Sequence, residues 1–234
     1  STLLGAIAFY TILPVPGTWR LEFTGIARWV PVIGLGIGAL LGLIDVGLAG
    51  LGMGVSVRSA VIVAAWIGLT GGLHLDGAMD TADGLAVFDR NRRLEVMADS
   101  RAGAFGVMAA VVIVLLKTLA LIDLSSHRWL ILMLVAAWGR WGQLLAIAHY
   151  PYLRPGGKGA LHKSAIRSTW EVVPTLLLLV AIGGSWVYWT GEWLQSAILT
   201  ALGGAISIFT GAWFNRKLGG HTGDTYGATV EWTE

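Results

Sequence analysis

Six long apolar runs leave this chain few folds to choose from. They lie at about 29–51, 58–75, 103–122, 129–149, 172–190 and 194–214, each near the roughly 20 residues a helix needs to cross a hydrocarbon core of about 30 Å. A soluble all-α protein with a large core does not explain so many runs long enough to span. Charged residues make up 13% of the chain, against about 25% in soluble domains. The expected fold is therefore all-α: a polytopic integral membrane helical bundle of about six spans, forming one domain over residues 1–234. Residues 3–16, "LLGAIAFYTILPVP", are apolar but too short to cross, and Pro14 and Pro16 stop them. They predict a short N-terminal interfacial or re-entrant helix. Gly34, Gly38 and Gly42 recur every four positions in the first span, a spacing that lets another helix approach closely. A homodimer through that stripe is one expectation; internal packing is the other.

Several classes drop out. Cysteine is absent, so disulfides and thiolate metal sites are excluded. The formal charge of +2 gives no reason to expect a nucleic-acid partner. No basic segment precedes the apolar N-terminal stretch, as a signal peptide would require. The start at Ser1 and the abrupt end at Glu234 are what a trimmed, longer chain would show.

The basic residues are strongly biased. Arg20 and Arg28, then Arg90, Arg92, Arg93 and Arg101, then Arg154, Lys158, Lys163 and Arg167, then Arg216 and Lys217 fall on one face. The other face carries Arg58 and Arg128, and Lys117 and Arg140 lie within spans. Twelve against two predicts that the richer face is cytoplasmic. All the polar, glycine-rich stretches lie on that face, which makes it the working surface.

The first such stretch is "GGLHLDGAMDTADGL", Gly71–Leu85. If the second span's helix continues through it, Asp76, Asp80 and Asp83 share one face at i, i+4 and i+7. They would then repel one another and crowd a helix C-terminus, where the macrodipole disfavours anions. A cation at that point resolves the conflict, and oxygen-only ligands suit Mg²⁺, with Mn²⁺ the alternative. "MADSRAGAFG" at 97–106 adds Asp99 as a further ligand and Arg101 as a bidentate phosphate binder. A plain solvated loop is the competing reading.

"YLRPGGKG", 152–159 with the preceding Tyr150, brings Arg154 and Lys158 into a glycine-rich loop suited to a polyphosphate. "LGGHTGDTYGA", 218–228, carries His221 and Asp224, the latter a weaker ligand candidate. Arg140 lies mid-span in "WGRWGQ", where a functional role or an acidic partner is expected, and Asp45 is a candidate partner. Lys117 is expected to face inward similarly. His74 is either a substrate contact or a structural histidine.

In that order, these stretches resemble the cobalamin synthase family, the adenosylcobinamide-GDP ribazoletransferases, over nearly the whole chain including "LPVP". Members usually carry a glycine-rich stretch where this chain has Ala86-Val87-Phe88, and tend to continue into another membrane helix. The resemblance implies an enzyme of the cytoplasmic (inner) membrane of a bacterium or archaeon. It would join α-ribazole, or its 5′-phosphate, to adenosylcobinamide-GDP and release GMP in the last steps of vitamin B12 synthesis. It implies Mg²⁺ held by Asp76, Asp80, Asp83 and Asp99, one of these carboxylates serving as base. His74, Arg101, Arg140, Arg154, Lys158 and Asp224 would bind substrate.

Two other readings are weaker. "DTADG" matches the start of the Asp-rich motif of CDP-alcohol phosphotransferases, but the later Ala-Arg and the closing pair of Asp residues are missing. A divalent-cation transporter would place carboxylates near mid-membrane, and only Asp45 lies deep in a span.

Overall fold

The computed structural model describes residues 1–234, apart from the side chain of Lys158. Regular structure among the described residues is helical: α1 (Thr2–Tyr10), α2 (Val30–Gly50), α3 (Val55–Leu69), α4 (Leu73–Ala86), α5 (Arg93–Val96), α6 (Ala104–Asp123), α7 (Arg128–His149), α8 (Lys158–Ala165), α9 (Val173–Thr190), α10 (Trp193–Leu218) and α11 (Gly223–Thr233). Five stretches are long and apolar enough to cross a membrane: Ile26–Gly50, Ala104–Asp123, Arg128–His149, Thr169–Thr190 and Trp193–Leu218. The bent pair α3 and α4 makes a sixth if taken as one span.

The central helix is α7. Its most apolar window is 78% buried inside the protein, against 17% for that of α6. Helices α2, α10, α11 and α9 pack around it, while the outer helices keep Leu, Val and Trp side chains exposed. That is how a bundle looks when lipid solvates its perimeter.

The glycine stripe of α2 is spent inside the chain. A side-chain carbon at Gly34 would lie 2.5 Å from the Ala136 carbonyl oxygen, and one at Gly42 would lie 2.8 Å from Trp129 Cβ. Gly38 meets Leu132 and Met133 as closely. The stripe lets α2 and α7 touch backbone to backbone, so it offers no surface to a second copy, and the homodimer loses the feature that suggested it.

The expected run 58–75 is also different. Helix α3 stops at Leu69, Gly71 and Gly72 adopt left-handed φ values of 60° and 70°, and α4 leaves at 88° to α3. Two consecutive glycines make such a break inexpensive, because neither has a Cβ to clash. The short helix α1 packs beside α2, and the Ile12 amide donates to the Leu69 carbonyl at 2.9 Å, tying the N-terminal segment to this break.

Candidate active site

Starting α4 afresh at Leu73 changes the electrostatics of the Asp stretch. Asp76 sits in the first turn of a helix, where the macrodipole favours an anion, and not at a helix C-terminus. Asp76, Asp80 and Asp83 still share one face of α4. Asp80 lies within electrostatic reach of Asp76, Asp224 and Asp83, with Arg154 as counter-charge.

Asp83 is already engaged. Its carboxylate accepts the backbone N–H groups of Gly103 and Gly106, both at 2.8 Å, at the start of α6. A Cβ at Gly103 or Gly106 would run into that carboxylate, which is why both positions are glycine. Asp99 and Arg101 pair with each other: the guanidinium donates to Oδ1 at 3.0 Å and to Oδ2 at 2.7 Å. These bonds hold the exposed Asp99 carboxyl down at about 2. Asp83, Asp99 and Arg101 line an open depression of their own. They are not brought into the cavity that receives Asp76.

That cavity, about 300 Å³, is where the separate motifs meet. Asp76, Arg154 and Asp224 lie on its wall. Arg154 donates to Asp224 Oδ2 at 2.8 Å and to the Leu94 carbonyl at 3.0 Å. Arg154 has no acidic neighbour in sequence; its partner comes from 70 residues away. Burial, with Asp76 adding, holds the Asp224 carboxyl above the usual range, although Arg154 and the Thr222 hydroxyl oppose the shift. The side chain of Lys158 lies outside the described residues.

The two glycine-rich loops are clamped together. The Leu153 amide donates to the His221 carbonyl, and the His221 amide to that of Pro151, both at 2.8 Å. Tyr152 stacks on Tyr226, Tyr226 on His221 and His221 on Tyr150, with centroids 5.9, 5.5 and 5.2 Å apart. Burial lowers His221 to about 4, so the imidazole is neutral and sits in the stack as a structural ring. Helix α11 then crosses α4 closely. A Cβ at Gly77 would lie 2.6 Å from the Asp224 carbonyl oxygen, and one at Gly227 would lie 3.0 Å from that of His74.

Below the carboxylates, Arg140 is fully buried. It does not pair with Asp45. It pairs with Glu234, donates to the Ala136 carbonyl at 2.9 Å and faces His74 Nδ1 at 3.5 Å. Lys117 does face inward and pairs with Glu231 at 2.7 Å and Glu234 at 2.5 Å. These four charges fasten α11 to α6 and α7. Asp45 instead pairs with Arg128, at 2.8 and 2.9 Å, and lies 3.1 Å from Arg58. Which helices adjoin decides such pairs, and the one-dimensional pattern does not reveal it.

The cavity also holds residues that pattern reading passed over: Tyr10, Gln143, Tyr152, His162 and Tyr226. The available signal was a lone polar residue inside an apolar run, as with Tyr10 in "IAFYTIL" and Gln143 in "WGQLLA".

The donor chemistry suits a hard divalent cation, since the acidic side chains here offer oxygen alone. Among the described residues no three carboxylate or imidazole groups converge at ligand spacing. Mg²⁺ is commonly held by one or two carboxylates together with substrate phosphates, not by an all-protein cage, so Asp76 and Asp80 fit that mode.

Comparison with known proteins agrees across the chain. Residues 2–234 match the family described as cobalamin-5-phosphate synthase. A Trichormus variabilis protein named adenosylcobinamide-GDP ribazoletransferase is 58% identical over 99% of this chain and 92% of its own length. Proteins of the same name from Synechococcus elongatus and Roseiflexus are 50% and 38% identical, over 100% and 98% of this chain and 93% and 84% of their own lengths. No solved structure matches. With its carboxylate face, clamped loops and full-length match, the chain belongs to the cobalamin-5-phosphate synthase family.

Proposed function

We propose that this protein transfers the phosphocobinamide group of adenosylcobinamide-GDP to α-ribazole or its 5′-phosphate. GMP is released and adenosylcobalamin, or its 5′-phosphate, is formed. The observation that carries this reading is convergence: Asp76, Arg154 and Asp224, from three separate motifs, meet on one cavity. That is the charge pattern a diphosphate and a hydroxyl nucleophile call for.

In the reaction a ribose hydroxyl oxygen bonds to the phosphorus bearing cobinamide, and the bond from that phosphorus to the GMP oxygen breaks. The hydroxyl proton passes to a carboxylate. Asp224, which burial tunes toward accepting a proton, is suited to take it. Arg154 offers a planar fork to the diphosphate oxygens. Asp76 and Asp80 would hold Mg²⁺, or Mn²⁺ in its place, and the bound ion would neutralise charge as GMP departs. Asp83 contributes by fixing the start of α6, and Arg101 is positioned in the outer depression, where it can meet an outlying phosphate.

The twelve-to-two bias of basic residues supports a site facing the cytoplasm from a cytoplasmic membrane. The test is direct. Purified protein in nanodiscs, given adenosylcobinamide-GDP, α-ribazole phosphate and Mg²⁺, releases GMP only when all three are present. Absence of GMP release, or release independent of the acceptor, defeats the assignment.

A further inference from the structure

The inner wall of the cavity carries an unusual set of atoms. His74 Nε2, Tyr226 Oη and both ring nitrogens of His162 are buried and have no hydrogen-bond partner within the chain, and Tyr10 Oη and Gln143 Oε1, also buried and without a well-formed bond, lie close to each other. All five residues line the same cavity, and each is at most 6% exposed. Buried polar atoms are normally paired, because an unpaired one forfeits its bonds to water without replacement. Such atoms gathered around one space are places for a ligand's hydrogen bonds.

Their chemistry specifies the ligand. None of these five groups is acidic, and burial holds His162 neutral by lowering it to about 4. The charged residues Asp76, Arg154 and Asp224 line the same cavity, Asp76 two residues from His74 and Asp224 two residues from Tyr226. The inner wall therefore suits a neutral, polar group attached to a reacting centre that belongs beside those charges. Aromatic rings complete it: Tyr10 stacks near His162 and His74, with centroids 6.1 and 6.3 Å apart, and Phe9 meets His162 edge-on at 5.0 Å. About 300 Å³ admits a nucleoside and excludes a corrin macrocycle.

The state of His74 follows from its neighbour. A guanidinium has donors and no acceptor, so the Arg140 group 3.5 Å from Nδ1 requires Nδ1 to keep its lone pair. The ring proton is then on Nε2, and His74 offers an N–H to the cavity, not a base.

We propose that this inner wall is the acceptor-nucleoside subsite, binding the base and sugar of α-ribazole, with His74 Nε2–H, Tyr10 and Tyr226 as donors and Gln143 Oε1 as an acceptor for a sugar hydroxyl. The assignment rests on the transferase reading above. It favours α-ribazole over the guanosine of the other substrate on one ground. Guanine presents N–H donors along its edge and calls for a carboxylate, which this wall lacks. A benzimidazole ring presents a lone pair and no exocyclic donor, which a donor-rich wall fits.

The experiment separates the two substrates. Tyr226→Phe, Tyr10→Phe and Gln143→Met each remove a polar atom with little change of shape. Each is expected to raise KM for α-ribazole about three- to tenfold, the loss of one hydrogen bond, while KM for adenosylcobinamide-GDP stays unchanged. Titration of α-ribazole alone, and of GMP alone, into the same variants in nanodiscs, followed by tryptophan fluorescence, gives the equilibrium counterpart. α-Ribazole affinity falls by the same factor and GMP affinity does not. A rise confined to adenosylcobinamide-GDP, a shared rise, or no change overturns the subsite. Failure of the transferase reading shows differently, as wild-type protein that binds α-ribazole and releases no GMP.

Discussion

The two ends of α7 both adjoin clustered charge, buried at one end and half-exposed at the other, and they treat it in opposite ways. Near its start, Asp45 is gripped by Arg128 through two hydrogen bonds and flanked by Arg58, and Arg128 also reaches Ser59 and the Leu121 carbonyl. That cluster closes on itself and ties α2, α3, α6 and α7 together. Beyond the other end, Asp80 and Asp224 share Arg154 as counter-charge with Asp76 beside them, and neutral polar atoms lining the same cavity lack partners. Isolated charge at membrane depth is costly wherever it sits. A cluster whose charges pair with one another holds helices together; one left with surplus carboxylates is completed by what binds there.

The largest expected effect tests that contrast directly. Asp80→Asn should lower kcat about 10²- to 10⁴-fold, the range associated with loss of an essential acid–base or charge-stabilising group, while leaving thermal stability nearly unchanged. Asp45→Asn should do the reverse. It strands two guanidiniums at the price of about 3–5 kcal/mol, seen as a lower unfolding midpoint, with the folded fraction keeping its turnover. Near-normal turnover of Asp80→Asn at low Mg²⁺ would break the comparison, and the Asp face would be a solvated helix surface.

Asp83 sharpens it at intermediate size, because it belongs to the carboxylate face yet performs a structural task. Asp83→Asn replaces one acceptor oxygen with a donor facing an N–H at the start of α6. A stability loss of about 1–3 kcal/mol is expected, and added Mg²⁺ should not restore it. Recovery of stability with Mg²⁺ would mean that the residue acts mainly as a metal ligand.

The smallest effect is a pH dependence. Asp224 has a folded-state pKa above its unfolded value of about 3.9, because burial outweighs the help from Arg154. Between the two values the folded state binds more protons than the unfolded state, so stability falls as pH rises through this window. Protein without substrate should therefore gain unfolding temperature as the pH is lowered toward the unfolded value. Asp224→Asn should gain less. An equal gain in both proteins would place the titration at another group.

Some of this was legible from one dimension and some was not, and particular residues show why. The spans could be read because about 20 apolar residues in a row have few other uses, and observed ends such as Ala104–Asp123 lie close to those expected. The second expected run, 58–75, is broken at Thr70-Gly71-Gly72. There hydropathy continues while the backbone turns, since hydropathy averages over a window and a left-handed pair of glycines acts at one point. Depth in a span singles out Arg140 and rightly predicts an acidic partner, but that partner is Glu234 and not the candidate Asp45. Tyr10 and Gln143 are hard to read because a lone polar residue in an apolar run has no spacing partner to announce it, and His162 and Tyr226 because they stand among other polar residues that mask them.

The sequence by itself determined the class of the molecule and the chemistry at its disposal. Both follow from local quantities: the length of apolar runs, the side on which basic residues fall, and the i, i+4, i+7 spacing of Asp76, Asp80 and Asp83. Only the tertiary structure decided which of those groups act together. It drew Asp83 away to the start of α6, closed Asp99 on Arg101, brought Asp224 and Arg154 to Asp76, and buried the α2 glycines against α7. Each outcome depends on distances between residues far apart in the chain. Electrostatic and hydrogen-bond energies depend on those distances through space, not on separation along the sequence.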